Sequence, residues 1–312
     1  MTAEMIELSV VVPLYNEVES LPELHAALRQ SLLPYADRYE LIFVDDGSAD
    51  GSFDRLREIW EEDKSVRVVR LRRNYGKAAA LGAGFRESRG AIIVTLDADL
   101  QDDPREIPRF LQKLEEGYDL VSGWKARRHD PWSRRFLSGL FNRVTSLLTG
   151  VRLHDFNCGF KVYRRAIIDE IKLHGELHRF IPVLARWRGF RIGEIQVRHH
   201  PRKYGQSKYG AERIPRGFFD LLTVLMLTRY TARPLHLFGL LGAFIGSIGF
   251  GIVAYLSISW LFGQWIGPRP ALILGTLMLI AGLQLVSFGL LAEMIVYGSN
   301  PEGGPPIDSV LK

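Results

Sequence analysis

The chain has 312 residues, 47% of them hydrophobic and 24% charged, with mean hydropathy +0.01 and a formal net charge of +5. This composition excludes a disordered chain, yet its mean hydropathy is high for a soluble protein with so many charges. The excess is local: no Asp, Glu, Lys or Arg stands between Pro234 and Arg269, nor between Arg269 and Glu293. The N-terminus has no basic n-region and a short apolar run, so it reads as a first strand and not as a signal peptide. With one cysteine, Cys158, no intrachain disulfide is expected.

In chain order, Ile6–Val12 reads as a strand, and Ser20 with Glu23 as a capping box that opens a helix to about Leu32. A strand is expected at Glu40–Val44, a helix near Phe53–Glu62, a strand at Val66–Leu71 and a helix at Lys77–Ser88. A buried strand at Ala91–Leu96, a helix at Pro104–Glu116 and a strand at Tyr118–Ser122 follow. Apolar strands alternating with helices imply a mainly parallel sheet covered on both faces, which binds ligands at the carboxyl ends of its strands. Further on, helices are expected near Ser133–Leu148, Arg165–Leu173 and His178–Trp187, with a loop at 154–160 and a strand near Phe190–Val197.

The rest of the chain reads as a membrane segment. Residues 1–210 form the expected soluble domain, 211–233 an interfacial amphipathic helix, 234–298 two membrane helices and 299–312 a tail. The helices, at about 235–262 and 270–292, each exceed the ~30 Å hydrocarbon core. Their short link puts both ends on one side, and Arg213, Arg216, Arg229 and Arg233 make that side the cytoplasm. Gly242 and Gly246 offer a small-residue pair for close helix approach. Basic residues concentrate in two stretches, with ten Lys/Arg against two acids over 125–165 and eleven against three over 186–233. Beside a membrane tail, this favours anionic lipid or phosphate partners over nucleic acid, for which no motif is present.

Asp97-Ala-Asp99-Leu-Gln101 directly follows a strand. Two carboxylates at i and i+2 on such a turn converge on a divalent cation that bridges nucleotide phosphates. In isolation the pair is usually a solvated acidic turn; its place at a strand's carboxyl end reverses that. Pro13-Leu-Tyr15-Asn16-Glu17 ends the first strand and Asp45-Asp46-Gly47-Ser48 the second. Asp45 and Asp46 suit base or ribose recognition, and Tyr15 suits covering a flat base. Three acidic loops thus fall on one sheet edge. The basic segment Arg202–Tyr209 is read as a loop that wraps a diphosphate, ahead of simple attraction to anionic lipid. Cys158 is expected to be a small buried residue, and His199-His200 a surface pair.

These motifs, with RNYGKAAAL, FNCGFKVYRR and the terminal hairpin, resemble the family 2 glycosyltransferases across essentially the whole chain. The resemblance is closest to polyprenyl-phosphate glycosyltransferases such as bactoprenol glucosyltransferases and, more distantly, dolichol-phosphate mannose synthase. It implies a GT-A fold, a Rossmann-like sheet with a D-x-D metal site. It implies that Pro13, Tyr15, Glu17, Asp45, Asp46, Asn74, Gly76, Lys77 and Asp97 hold the nucleotide. Asp97, Asp99 and Gln101 would hold Mg²⁺ or Mn²⁺. Lys125, standing where the family has arginine, would meet the lipid phosphate or the diphosphate with Arg134, Ser138, Arg202, Ser207 and Lys208. Asp155 and Asp99 would be the catalytic carboxylates, with Asp155 beside the reacting sugar.

The implied reaction is metal-dependent, inverting transfer of a hexose, glucose from UDP-glucose first, to undecaprenyl phosphate. A largely dianionic phosphate acceptor hardly needs a base, but it needs positive charge to approach a second anion. A GDP-mannose-dependent mannose synthase is the nearest alternative; a nucleotidyltransferase or a non-catalytic lipid-binding protein fits less well. A processive polysaccharide synthase is disfavoured because Val183 breaks the Gln-x-x-Arg-Trp pattern. The expected location is the inner (plasma) membrane, multi-pass, with the catalytic domain and both termini cytoplasmic, as a homo-oligomer.

Overall fold

The computed structural model describes residues 6–125, 132–171, 177–204, 213–230, 233–263 and 270–298; a few side chains within these, Arg134 among them, are not described. Seven strands form one sheet in the order β3-β2-β1-β4-β6-β5-β7. They are β1 (Leu8–Leu14), β2 (Tyr39–Asp45), β3 (Val66–Arg70), β4 (Ile92–Thr95), β5 (Leu120–Trp124), β6 (Lys161–Arg164) and β7 (Ile192–Gln196). All pairings are parallel except those of β6, which runs antiparallel to both β4 and β5. β6 lies just after the stretch expected to be a loop, and the sequence reading did not resolve it as a strand. Its four residues are too few for a periodic pattern, and buried Lys161 breaks the apolar run.

The helices are α1 (Leu21–Leu32), α2 (Ser52–Glu62), α3 (Lys77–Glu87), α4 (Ile107–Glu115), α5 (Trp132–Thr149), α6 (Arg165–Glu170), α7 (Ile181–Trp187), α8 (Arg213–Leu225), α9 (Pro234–Leu261) and α10 (Pro270–Gly298). The α4 apolar residues Ile107, Phe110, Leu111 and Leu114 follow helical spacing, and all four are buried. Every residue of β1 is buried, as a central strand covered on both faces requires. Each of its Leu and Val side chains contributes about 1.5–3 kcal/mol. The expected capping box does not form: the Ser20 hydroxyl donates to the Glu17 carbonyl at 2.9 Å, and Glu23 pairs with Lys203.

Two compact units divide at Val224/Leu225, inside the stretch expected to be one interfacial helix. In the second unit, α9 and the 270–296 part of α10 are long and apolar enough to cross a membrane, with mean hydropathy 2.1 each and only 11% of the window buried. They meet along glycine. A Cβ on Gly242 would lie 2.6 Å from the Gly282 carbonyl oxygen, and one on Gly249 would lie 2.7 Å from that of Gly275. The Glu293 carboxylate accepts from the Leu235 N–H at 3.1 Å, satisfying a donor in the first turn of α9.

Candidate active site

The order β2-β1-β4 brings the carboxyl ends of three parallel neighbours side by side. There the loops from β1, β2 and β4 border a cavity of about 320 Å³, large enough for part of a nucleotide sugar. Pro13, Tyr15, Glu17, Asp46, Asn74, Gly76, Lys77, Asp97, Asp99 and Arg202 all line it. His178 and Arg179 line it too; sequence reasoning missed both, because it took them as the start of a helix.

Local chemistry fixes these loops. The Asn16 N–H donates to Ser48 Oγ at 2.8 Å, and the Ala49 N–H donates to Asn16 Oδ1 at 2.9 Å, tying the β1 loop to the β2 loop. Asp46 accepts the N–H groups of Tyr75 and Gly76, both at 2.8 Å, and so seats the start of α3. Burial raises the Asp46 pKa, against the pull of those two donors. Gly47, at φ +73°, is needed because a Cβ there would lie 2.5 Å from the Arg73 main chain, which leads to Asn74. Leu100 takes φ +58°, strained for a residue with a side chain, in the turn between Asp99 and Gln101.

The two aspartates of the D-x-D turn each carry a cation from elsewhere in the chain. Lys77 Nζ pairs with Asp97, and Arg202 pairs with Asp99 at 2.5 Å and Glu17 at 3.4 Å. Burial acts to raise the Asp97 pKa, but the charges of Lys77 and Lys125 hold it well below the carboxylate range. Burial, reinforced by the nearby Asp97 charge, pushes Asp99 up to about 6. Two crowded carboxylates with cations already seated on them are a donor set that fits a hard divalent ion. Among the described residues no cluster of three or more His, Cys, Asp and Glu side chains forms a fuller cage. The ion would therefore take its other ligands from diphosphate and water.

Four expected site residues sit differently. Asp45 is fully buried; it caps the Ser48 N–H at 2.9 Å, lies 3.6 Å from Arg70 and is absent from the cavity wall. Gln101 directs its amide to the His200 carbonyl at 3.5 Å. Lys125 is not on the cavity wall either: its ammonium pairs with buried Asp102 at 2.8 Å, and although burial acts to lower its pKa, Asp102, Cys158 and Asp97 together raise it. Asp155 is 1% exposed, accepts its own loop's Asn157 N–H at 3.0 Å and does not line the cavity. Ser138 lies one turn along α5 from Arg134, whose side chain is outside the described residues, as are Ser207 and Lys208. Cys158 is buried as expected, with burial pushing its thiol up to about 12. His200 is exposed, but His199 is half-buried, 4.0 Å from Asp102.

A mostly parallel sheet with a D-x-D turn at the edge of a cavity at its carboxyl end has the GT-A architecture. The chain belongs to glycosyl transferase family 2, whose model matches residues 9–172. It is 42% identical over 298 residues to the dodecaprenyl-phosphate galacturonate synthase of Rhizobium johnstonii, covering 94% of this chain and 88% of that protein. It is 40% identical over 290 residues to the undecaprenyl-phosphate 4-deoxy-4-formamido-L-arabinose transferase of Pseudomonas aeruginosa, covering 92% and 84%. Its fold matches the glucosyl-3-phosphoglycerate synthase of Mycobacterium tuberculosis, solved with Mn²⁺, UDP-glucose and phosphoglyceric acid. That match has TM-score 0.55 and 21% identity, over 72% of this chain and 82% of that one.

Proposed function

We propose that this protein is a membrane-bound, metal-dependent glycosyltransferase that moves a sugar from a nucleotide donor to polyprenyl phosphate. The observation that carries the reading is the D-x-D pair, capped by Lys77 and Arg202, in the cavity at the sheet's carboxyl edge. Asp97 and Asp99 would hold Mg²⁺ or Mn²⁺, which when bound supplies charge neutralisation for the leaving diphosphate. Asp46, Tyr15 and Asn74 line the part of the cavity assigned to the nucleoside. Lys77 and Arg202 are placed to turn from the carboxylates onto the phosphates. An oxygen of the acceptor phosphate bonds to the anomeric carbon as the bond to the diphosphate breaks. The electron pair leaves with the nucleotide, and the anomeric centre inverts. Arg134, Ser138, Ser207 and Lys208 remain the proposed contacts to the acceptor phosphate; Lys125, held by Asp102, reaches it only by leaving that pair.

The sequence pointed first to UDP-glucose, whereas the relatives' names favour a modified sugar. We assign the donor as a UDP-sugar, with a uronate ahead of glucose; Arg179 on the cavity wall suits a sugar carboxylate. The apolar helices and the relatives' lipid-phosphate acceptors support an inner-membrane location. A cytoplasmic catalytic unit and self-association are part of the same proposal. The test incubates full-length protein with labelled UDP-galacturonate or UDP-glucose, undecaprenyl phosphate and Mn²⁺. Label entering the organic phase, at least about a hundredfold slower with Asp99→Asn, supports the reading. An Asp99→Asn variant as fast as wild type overturns the metal assignment.

A further inference from the structure

The segment from His154 to Phe160 leads into β6, and a buried lysine and a half-buried glutamate grip its backbone. Lys161, 3% exposed on β6, directs its ammonium to main-chain carbonyls, that of Cys158 and, at 3.5 Å, that of Phe156. Burial lowers its pKa. Glu194 on β7 does the converse. Its carboxylate accepts the His154 N–H at 2.9 Å and the Asp155 N–H at 3.2 Å, and it meets His154 Nδ1 at 2.7 Å. Burying an ammonium among carbonyls is costly, and the nearby Asp155 and Asp97 charges offset part of that cost.

Gly159 shows what the grip is for. A Cβ there would lie 2.5 Å from Asp97 Oδ1, so the loop backbone forms a wall against that carboxylate. The Gly159 carbonyl accepts from Thr95 Oγ1 at 2.9 Å, fastening the wall to the strand that leads into the D-x-D turn.

We infer that Lys161 and Glu194 are positioning residues: a cation on the carbonyls and an anion on the N–H groups hold the 154–160 loop so that Gly159 fixes the rotamer of Asp97. The inference rests on the proposed role of Asp97 as a ligand of the donor's metal. It adds two residues that do not line the cavity and that the D-x-D motif does not reveal.

The experiment uses full-length protein in detergent, with UDP plus Mn²⁺ as the probe in titration calorimetry and hydrogen–deuterium exchange across 154–160 without ligand. Lys161→Met is expected to speed exchange in that segment and weaken UDP–Mn²⁺ binding by about tenfold or more, the usual cost of losing a group that supports a metal ligand. Lys161→Arg restores affinity to within about threefold, and Glu194→Gln shows the same two effects more weakly. Folded Lys161→Met and Glu194→Gln proteins with wild-type affinity and exchange overturn the inference. If Lys161→Met does not fold, Glu194→Gln decides by the same criteria. Asp97→Asn separates the two levels. Should it alone abolish UDP–Mn²⁺ binding, only the positioning role falls. Should it too bind normally, the metal reading falls with it.

Discussion

At the scale of single residues, the cavity rewards motif reading where a side chain acts locally and defeats it where the partner is distant. Tyr15, Glu17, Asp46, Asp97 and Asp99 were legible because each sits within a few residues of a strand's carboxyl end, whereas Asn74 and Lys77 were named only through the family resemblance. Asp45 and Asp46 are chemically identical in sequence; Arg70 and the Ser48 N–H claim one, while the start of α3 claims the other. Lys125 was read as a phosphate ligand because nothing near it in sequence reveals Asp102 on the far side of α4 in the chain. Removing one member of such a buried pair leaves an unpaired charge. Lys125→Met is therefore expected to lower stability by about 3–5 kcal/mol, and the double variant with Asp102→Leu to recover much of it. Thermal denaturation of the four proteins of the cycle measures this.

At the scale of elements, strand and helix order was readable because apolar runs separated by amphipathic stretches leave few arrangements. The reversed strand β6 was not, since its direction is set by pairing to β4 and β5 and not by composition. Glu40 on β2 shows how the sheet is fastened at its other end. Its carboxylate accepts from Ser9 Oγ at 2.7 Å and from the Arg89 N–H at 2.6 Å, and pairs with the Arg89 guanidinium at 3.0 Å. Burial acts to raise its pKa, but Ser9 and Arg89 together leave it below the ordinary value. A depressed folded-state value means that the contribution is complete above the unfolded pKa of about 4.3 and is lost as pH falls through the folded one. Glu40→Ala should cost about 3 kcal/mol at pH 7, and less below pH 4. Chemical denaturation at both pH values checks the sign.

At the scale of the whole molecule, the chain couples a charged sheet unit to a hairpin of apolar helices, and the absence of charge from Pro234 to Pro268 made that division visible in the sequence. The exact break was not visible, because α8 carries its own apolar residues up to the boundary. The protein is expected to stay in the membrane pellet through alkaline carbonate and high salt and to be released only by detergent; extraction by carbonate would exclude spanning helices. The glycine line between α9 and α10 bears on how copies meet. Gly242, Gly249, Gly275 and Gly282 are used up inside one hairpin, which leaves Phe244, Phe250, Leu283 and Phe288 exposed on it. The outward face of α9 nevertheless keeps a line of small residues, exposed Ala243, Ser247 and Gly251 at four-residue spacing, so two hairpins side by side in lipid have a seam for close approach that the internal glycines do not use up.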